Sequence, residues 1–209
     1  MKDKDLNMST KFTLLRYTAY AALTYLLLEM MLYDAVNTTI DTKFSETSLV
    51  EQFQNIFLLI GIVLLIISNN LKSIKYSLAL IIGLFFIREQ DAFLDTAIGE
   101  HSWKFLCIAY GLAIGYKLYT YKNVFVDEFN TYIKSASSGI TFIGLISLLI
   151  FSRMFGRKKF WIAVEETENY TRNVKNAAEE CTELFAYFLI LIGIIEFYYF
   201  SKKQFKIAK

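Results

Sequence analysis

The sequence predicts an all-α, polytopic membrane helix bundle with six transmembrane helices in a single domain, residues 1–209, and both termini on the cytoplasmic side. Three observations carry that expectation. Hydrophobic residues make up 55% of the chain and its mean hydropathy is +0.38, both high for a protein that folds in water. The apolar residues are grouped into long runs separated by polar punctuation, as spanning helices require, because in hydrocarbon each backbone N–H and C=O must be satisfied within its own segment. Proline is absent, which favours straight spans over broken half-helices.

Taken in order, the first span is expected over 12–33. Its apolar run is too long for a cleaved signal peptide and has no small-residue cleavage pattern. A polar loop with turn and capping residues follows over 34 to 47, and a second span over 48–68 opens with Glu51, Gln54 and Asn55. On a helix these three share an arc of about 100°.

A third span over 76–94 needs the charged stretch after Ile87, because crossing roughly 30 Å of hydrocarbon takes about twenty residues at about 1.5 Å each. Trp103 and the Tyr116, Tyr119 and Tyr121 group suit the two interfaces of a fourth span over 103–121. Residues 123 to 134 have the amphipathic pattern of a helix lying on the membrane surface. A fifth span over 135–155 carries Gly139, Gly144 and Ser147, small enough for close helix packing. After a polar segment over 160 to 176, the sixth span, 177–200, opens with Glu179, Glu180 and Glu183.

Placing the N-terminus inside puts most of the 22 Lys and Arg residues on the cytoplasmic side: Lys2 to Arg16, Lys72 and Lys75, Lys117 to Lys134 and the tail from Lys202. That distribution follows the positive-inside rule. The basic run Arg153 to Lys159 falls outside and opposes it. Loss of the fifth span would give five helices and reverse the last one.

With six spans, widely separated polar residues fall at one depth, in the extracytoplasmic half: Glu29, Glu51, Gln54, Asn55, Arg88 to Asp95, His101, Lys104 and Glu179 to Glu183. Ionisable groups at such depth cost several kcal/mol facing lipid, so they face the interior, pair, or line a wet cavity. Arg88, Asp91 and Asp95 lie within about 60° on one helix, the spacing of an ion-pair network. Their bland reading is a salt bridge that fixes helix packing, and their functional reading is a wall of a site. The ligand or ion pathway is expected to involve Glu51, Asn55, Arg88, Glu89, Asp91, Asp95, Lys104, Glu179 and Glu183.

The i, i+4 pairs Glu51 with Asn55 and Glu179 with Glu183 each present two oxygens on one face. Oxygen ligands suit Mg²⁺, Ca²⁺ or Mn²⁺, which makes Glu51, Asp91, Asp95, Glu179 and Glu183 the candidate ligands for a divalent metal. Helix-start glutamates are also favoured by the macrodipole alone. His101, the single histidine, is the candidate acid or base, against the plainer reading of an interfacial residue. Cys107 and Cys181 suggest neither a disulfide framework nor a zinc site, and a net charge of +2 gives no reason to expect nucleic acid.

Phosphate-binding glycine loops, the G-x-S-x-G nucleophile elbow and H-E-x-x-H are all missing from the sequence. Three readings remain. One is a transport or conduction unit whose carboxylates bind a cation, protons or a polar ligand. Another is a membrane-embedded, metal-assisted hydrolase or transferase acting on a lipid-like substrate. The third is a structural or regulatory subunit of a larger complex. All three place the chain in the lipid bilayer of an inner or plasma membrane of bacterial type, as a homo-oligomer or beside a membrane-complex partner.

Overall fold

The computed structural model describes residues 2–38, 44, 48–165 and 170–207. Residues 39–43 and 45–47 of the expected loop, and 166–169 of the expected polar segment, lie outside the described residues. Among the described residues the chain is helical, with no strand. Its ten α-helices are α1 (Lys2–Asn37), α2 (Leu49–Ile67), α3 (Lys72–Glu89), α4 (Asp91–Ala97), α5 (Ser102–Thr120), α6 (Phe125–Tyr132), α7 (Ala136–Ile146), α8 (Ser152–Phe155), α9 (Lys158–Glu165) and α10 (Arg172–Ile207). A turn of π-helix, Ser147–Phe151, joins α7 to α8 without a break.

Among the described residues four helical segments are long and apolar enough to cross a membrane: Thr10–Asn37, Leu49–Ile67, Ala136–Phe155 and Arg172–Lys203. These match the expected first, second, fifth and sixth spans, and their composition fits an integral membrane protein. The expected third and fourth spans form α3 and α5, which are close to spanning length but not apolar enough to join that set. Lys72, Lys75, Arg88 and Glu89 at the ends of α3 account for its deficit.

α10 is the spine of the bundle. It packs against α7 along one side and α2 along another, and Leu184, Tyr187, Ile190, Ile194 and Phe197 are all at most 2% exposed. Small residues set the α7–α10 distance: a Cβ on Gly144 would lie 3.0 Å from the Ile190 amide nitrogen and 3.1 Å from the Ala186 carbonyl oxygen. Gly139, expected to serve likewise, meets nothing within 4 Å.

Hydrogen bonds fix how the helices run. Arg16 in the first half of α1 meets Glu196 in the second half of α10, and the Ser68 hydroxyl at the end of α2 meets that of Ser201. At the opposite end Gln54 of α2 meets Glu180 of α10, and Tyr187 meets Glu89 at the end of α3. Tyr110 of α5 donates to the Ala79 carbonyl of α3 at 2.6 Å, with its ring over Gly83. α1 and α3 therefore run one way and α2 and α10 the other; the Tyr76–Tyr121 stack sets α5 antiparallel to α3, and Ser137 on Gly193 with Gly144 on Ala186 sets α7–α8 antiparallel to α10.

Candidate functional site

Three helix ends meet at the Glu180 end of the bundle. α2 begins there with Ser48 as N-cap, its hydroxyl accepting from the Glu51 amide at 3.3 Å. Buried Asp34, from the end of α1, accepts from the Leu49 and Val50 amides, each at 3.3 Å, and supplies negative charge to the same helix start. Gln54 and Asn55, one turn in, then face α10 and α3.

α3 ends at this level, earlier than the sequence suggests. Gln90 leaves helical geometry (φ −99°, ψ 12°), and the chain restarts as the short α4 at Asp91. The Gln90 amide donates to Asn55 Oδ1, a tie to another helix that a run of hydrophobicity cannot reveal. The break overturns the expected continuous face of Arg88, Asp91 and Asp95. Arg88 instead donates to its neighbour Glu89 at 2.9 Å, while Asp91 Oδ1 accepts from the Ala92 amide at the head of α4.

The result is an open cavity of about 490 Å³ at the meeting point of α2, α3, α4 and α10. Acids line it from three sides: Glu51 from α2, Glu89 and Asp91 from the α3–α4 corner, and Glu180 and Glu183 from α10. Asn55 and Arg88 complete the wall.

Glu89 is the best supported of the acids. It accepts from the Tyr187 hydroxyl at 2.6 Å and from Arg88 through the same oxygen, Oε1. Glu183 is only 4% exposed, and its nearest cation, Arg153 of α8, stands 3.9 Å away, too far for a hydrogen bond. Glu180 accepts from the Gln54 amide at 3.2 Å, and no cation lies within ion-pair distance of it among the described residues. Gln54 itself is wholly buried, and its Oε1 has no hydrogen-bond partner.

The structure thus brings together Glu51, Asn55, Arg88, Glu89, Asp91 and Glu183 of the expected pathway. It does not bring Asp95, Lys104 or Glu179 to that cavity. Asp95 lies on α4 with a buried Oδ1 lacking a partner, exposed Lys104 lies over the ring of its neighbour Trp103, and Glu179 is bound by Lys175 at 2.7 Å. Exposed His101, the expected acid or base, takes left-handed geometry (φ 63°) before α5 and does not line the cavity either. Glu29, expected at the same depth, faces outward from α1.

The candidate metal ligands are dispersed for the same reasons: Glu51, Asp91 and Glu183 share the cavity, while Asp95 and Glu179 do not. Among the described residues no group of three or more His, Cys, Asp or Glu is arranged to hold a metal ion.

Known proteins add nothing to this geometry. The chain matches no protein family, no curated protein and no solved structure.

Sequence reasoning missed Glu180 in favour of Glu179, and it missed Tyr187 altogether. A local signal separates the two glutamates: Lys175 stands four residues before Glu179, the spacing of a helix-surface ion pair, and leaves Glu180 without an equivalent partner.

Proposed function

We propose that this is a six-span, single-domain membrane protein with both termini inside, and that its carboxylate cavity binds a cation, or protons, for transport. The supporting observation is the charge of that cavity. Five acids line it against one basic lining residue among the described residues, Arg88, with Arg153 standing 3.9 Å behind Glu183. A cavity with so unequal a balance attracts cations, and in a membrane its low-dielectric walls strengthen the attraction. The alternating run of α1, α2, α3, α5, α7–α8 and α10 supports the six-span reading, with α3 and α5 packed on each other and Phe105, Ile108 and Leu112 of α5 exposed as lipid-facing residues would be.

An observation also favours a structural reading: Arg88 and Tyr187 together occupy Glu89 in the manner of a packing clamp. Glu180 separates the two readings, because it has no such cation.

The test is flux in reconstituted liposomes, recorded for protons, Na⁺ and K⁺, with wild-type protein and with Glu180→Gln and Glu183→Gln. Loss of flux in both variants, with unchanged elution on size exclusion, is the expected result. Folded variants that carry wild-type flux would end the transport reading and leave the structural one.

A further inference from the structure

A second cavity, of about 580 Å³, opens at the opposite end of the bundle, where α1 and α7 begin and α10 ends. Its chemistry is the reverse of the first. Arg16, Lys202 and Lys203 line it, with Glu196 as the acid.

Arg16 and Glu196 neutralise each other through two hydrogen bonds, Nε to Oε1 at 3.0 Å and Nη2 to Oε2 at 3.1 Å. The two lysines are exposed and form no ion pair among the described residues, so the cavity keeps a net positive charge. Lys202 Nζ stands 4.1 Å from the centre of the Tyr198 ring, which lines a smaller neighbouring cavity, so Lys202 borders both and its flexible stem lets the ammonium turn to either.

The start of α7 forms another part of the wall, at Ser135, Ala136 and Ser137. Ser135 is the N-cap, and its hydroxyl accepts from the Ser138 amide at 3.3 Å. The amides of Ala136 and Ser137, in the first turn, have no helical acceptor and stand at the positive end of the helix. Paired backbone N–H groups beside lysines are a recurrent way to hold a tetrahedral oxyanion.

The remaining wall is aromatic: Phe12, Tyr199 and Phe200. Beyond Phe12 it continues onto the outer face of α1, where Leu14 and Leu15 are about two-thirds exposed. A ligand with a phosphate head and apolar chains fits this sequence of surfaces. The cavity also sits at the ends of spanning segments, the depth of lipid headgroups, on the side where the sequence concentrates its basic residues.

We propose that this cavity binds a phosphate group through Lys202, Lys203 and the amino-terminal amides of α7. That chemistry is shared by an anionic phospholipid headgroup and by free phosphate. The proposal requires the bundle to sit in a bilayer, but it is independent of whether the opposite cavity binds a cation.

The experiment uses the full chain in mild detergent, titrated with phosphatidylglycerol or phosphatidylcholine and read by native mass spectrometry. A second arm measures thermal stability in inorganic phosphate against chloride at equal ionic strength. The variants are Lys202→Gln with Lys203→Gln, and as a control Lys117→Gln with Lys122→Gln, exposed lysines on α5 and just beyond it.

Wild-type protein should prefer phosphatidylglycerol, and the cavity pair should weaken that binding about thirtyfold, at the strength usual for two lysines beside an anionic bilayer. The control pair should change it less than about threefold on the same scale. Stabilisation by inorganic phosphate that depends on Lys202 and Lys203, without lipid preference, would assign the site to free phosphate. The proposal is overturned if neither ligand is preferred, or if the control pair costs as much as the cavity pair.

Discussion

The link between the first and last spans is the part of the bundle most open to a quantitative test. Arg16 and Glu196 are 180 residues apart, and their side chains are 18% and 9% exposed. Glu196 also accepts from the Tyr20 hydroxyl at 2.8 Å. Replacing Arg16→Met removes two charge-assisted bonds and leaves a buried carboxylate with Tyr20 alone, a change that costs about 3–5 kcal/mol where one partner of a buried pair is lost. Glu196→Gln keeps the shape and an acceptor for Tyr20. Arg16, the more exposed partner, can turn toward solvent, so the loss is nearer the 1.5–3 kcal/mol of hydrogen bonds to a charged group. In the double variant neither charge remains, and the coupling between the two sites should exceed about 2 kcal/mol. That threshold discriminates, because hydrogen bonds between membrane helices average only about 0.6 kcal/mol by the same method. The assay is equilibrium unfolding in mixed micelles followed by circular dichroism. Single-variant losses that add to within about 0.5 kcal/mol would show that the pair does not tie α1 to α10.

Two shorter predictions concern α10. Tyr187→Phe removes the donor to Glu89 while keeping the ring against Phe85, and it should cost about 1.5–3 kcal/mol in the same unfolding assay and reduce cation flux in liposomes. Gly144→Leu forces α7 away from the Ile190 and Ala186 backbone and should destabilise by more than the 1–3 kcal/mol usual for overpacking, whereas Gly139→Leu, in open space, should be tolerated.

The four long apolar helices were legible because composition alone specifies them: a run of apolar residues in a chain without proline has few alternatives to a helix. An amphipathic helix over 123 to 134 was legible for a related reason, its pattern giving α6. The end of α3 was not. Its break at Gln90 coincides with a hydrogen bond to Asn55, 35 positions away, and no local pattern encodes that partner. Convergence of α2, α3 and α10 was expected from helices of alternating direction, and Glu51, Glu89 and Glu183 line the cavity where those helices meet. Choosing Glu179 over Glu180 was an error of one residue, but one residue is about 100° around a helix and decides between lining the cavity and pairing with Lys175. The Arg16–Glu196 pair was invisible because its members sit in spans 180 residues apart, each an isolated charge in its own run.

The two cavities occupy opposite ends of α10, and what lies between them constrains the transport reading. From Glu183 to Glu196 the helix advances about 20 Å. Over that interval Leu184, Ala186, Tyr187, Phe188, Ile190, Leu191, Ile192 and Ile194 are all buried, packed against α2, α7 and each other. The Ser137 hydroxyl inside this region is bound to the Gly193 carbonyl, which removes it as a relay donor. A standing aqueous pore along α10 is incompatible with such packing, since a hydrated ion cannot cross that length of close-packed side chains. On that reading, transport from the carboxylate cavity requires movement of helices past one another. Flux in the liposome assay should accordingly saturate with cation concentration, as a carrier does, and not rise in proportion to it.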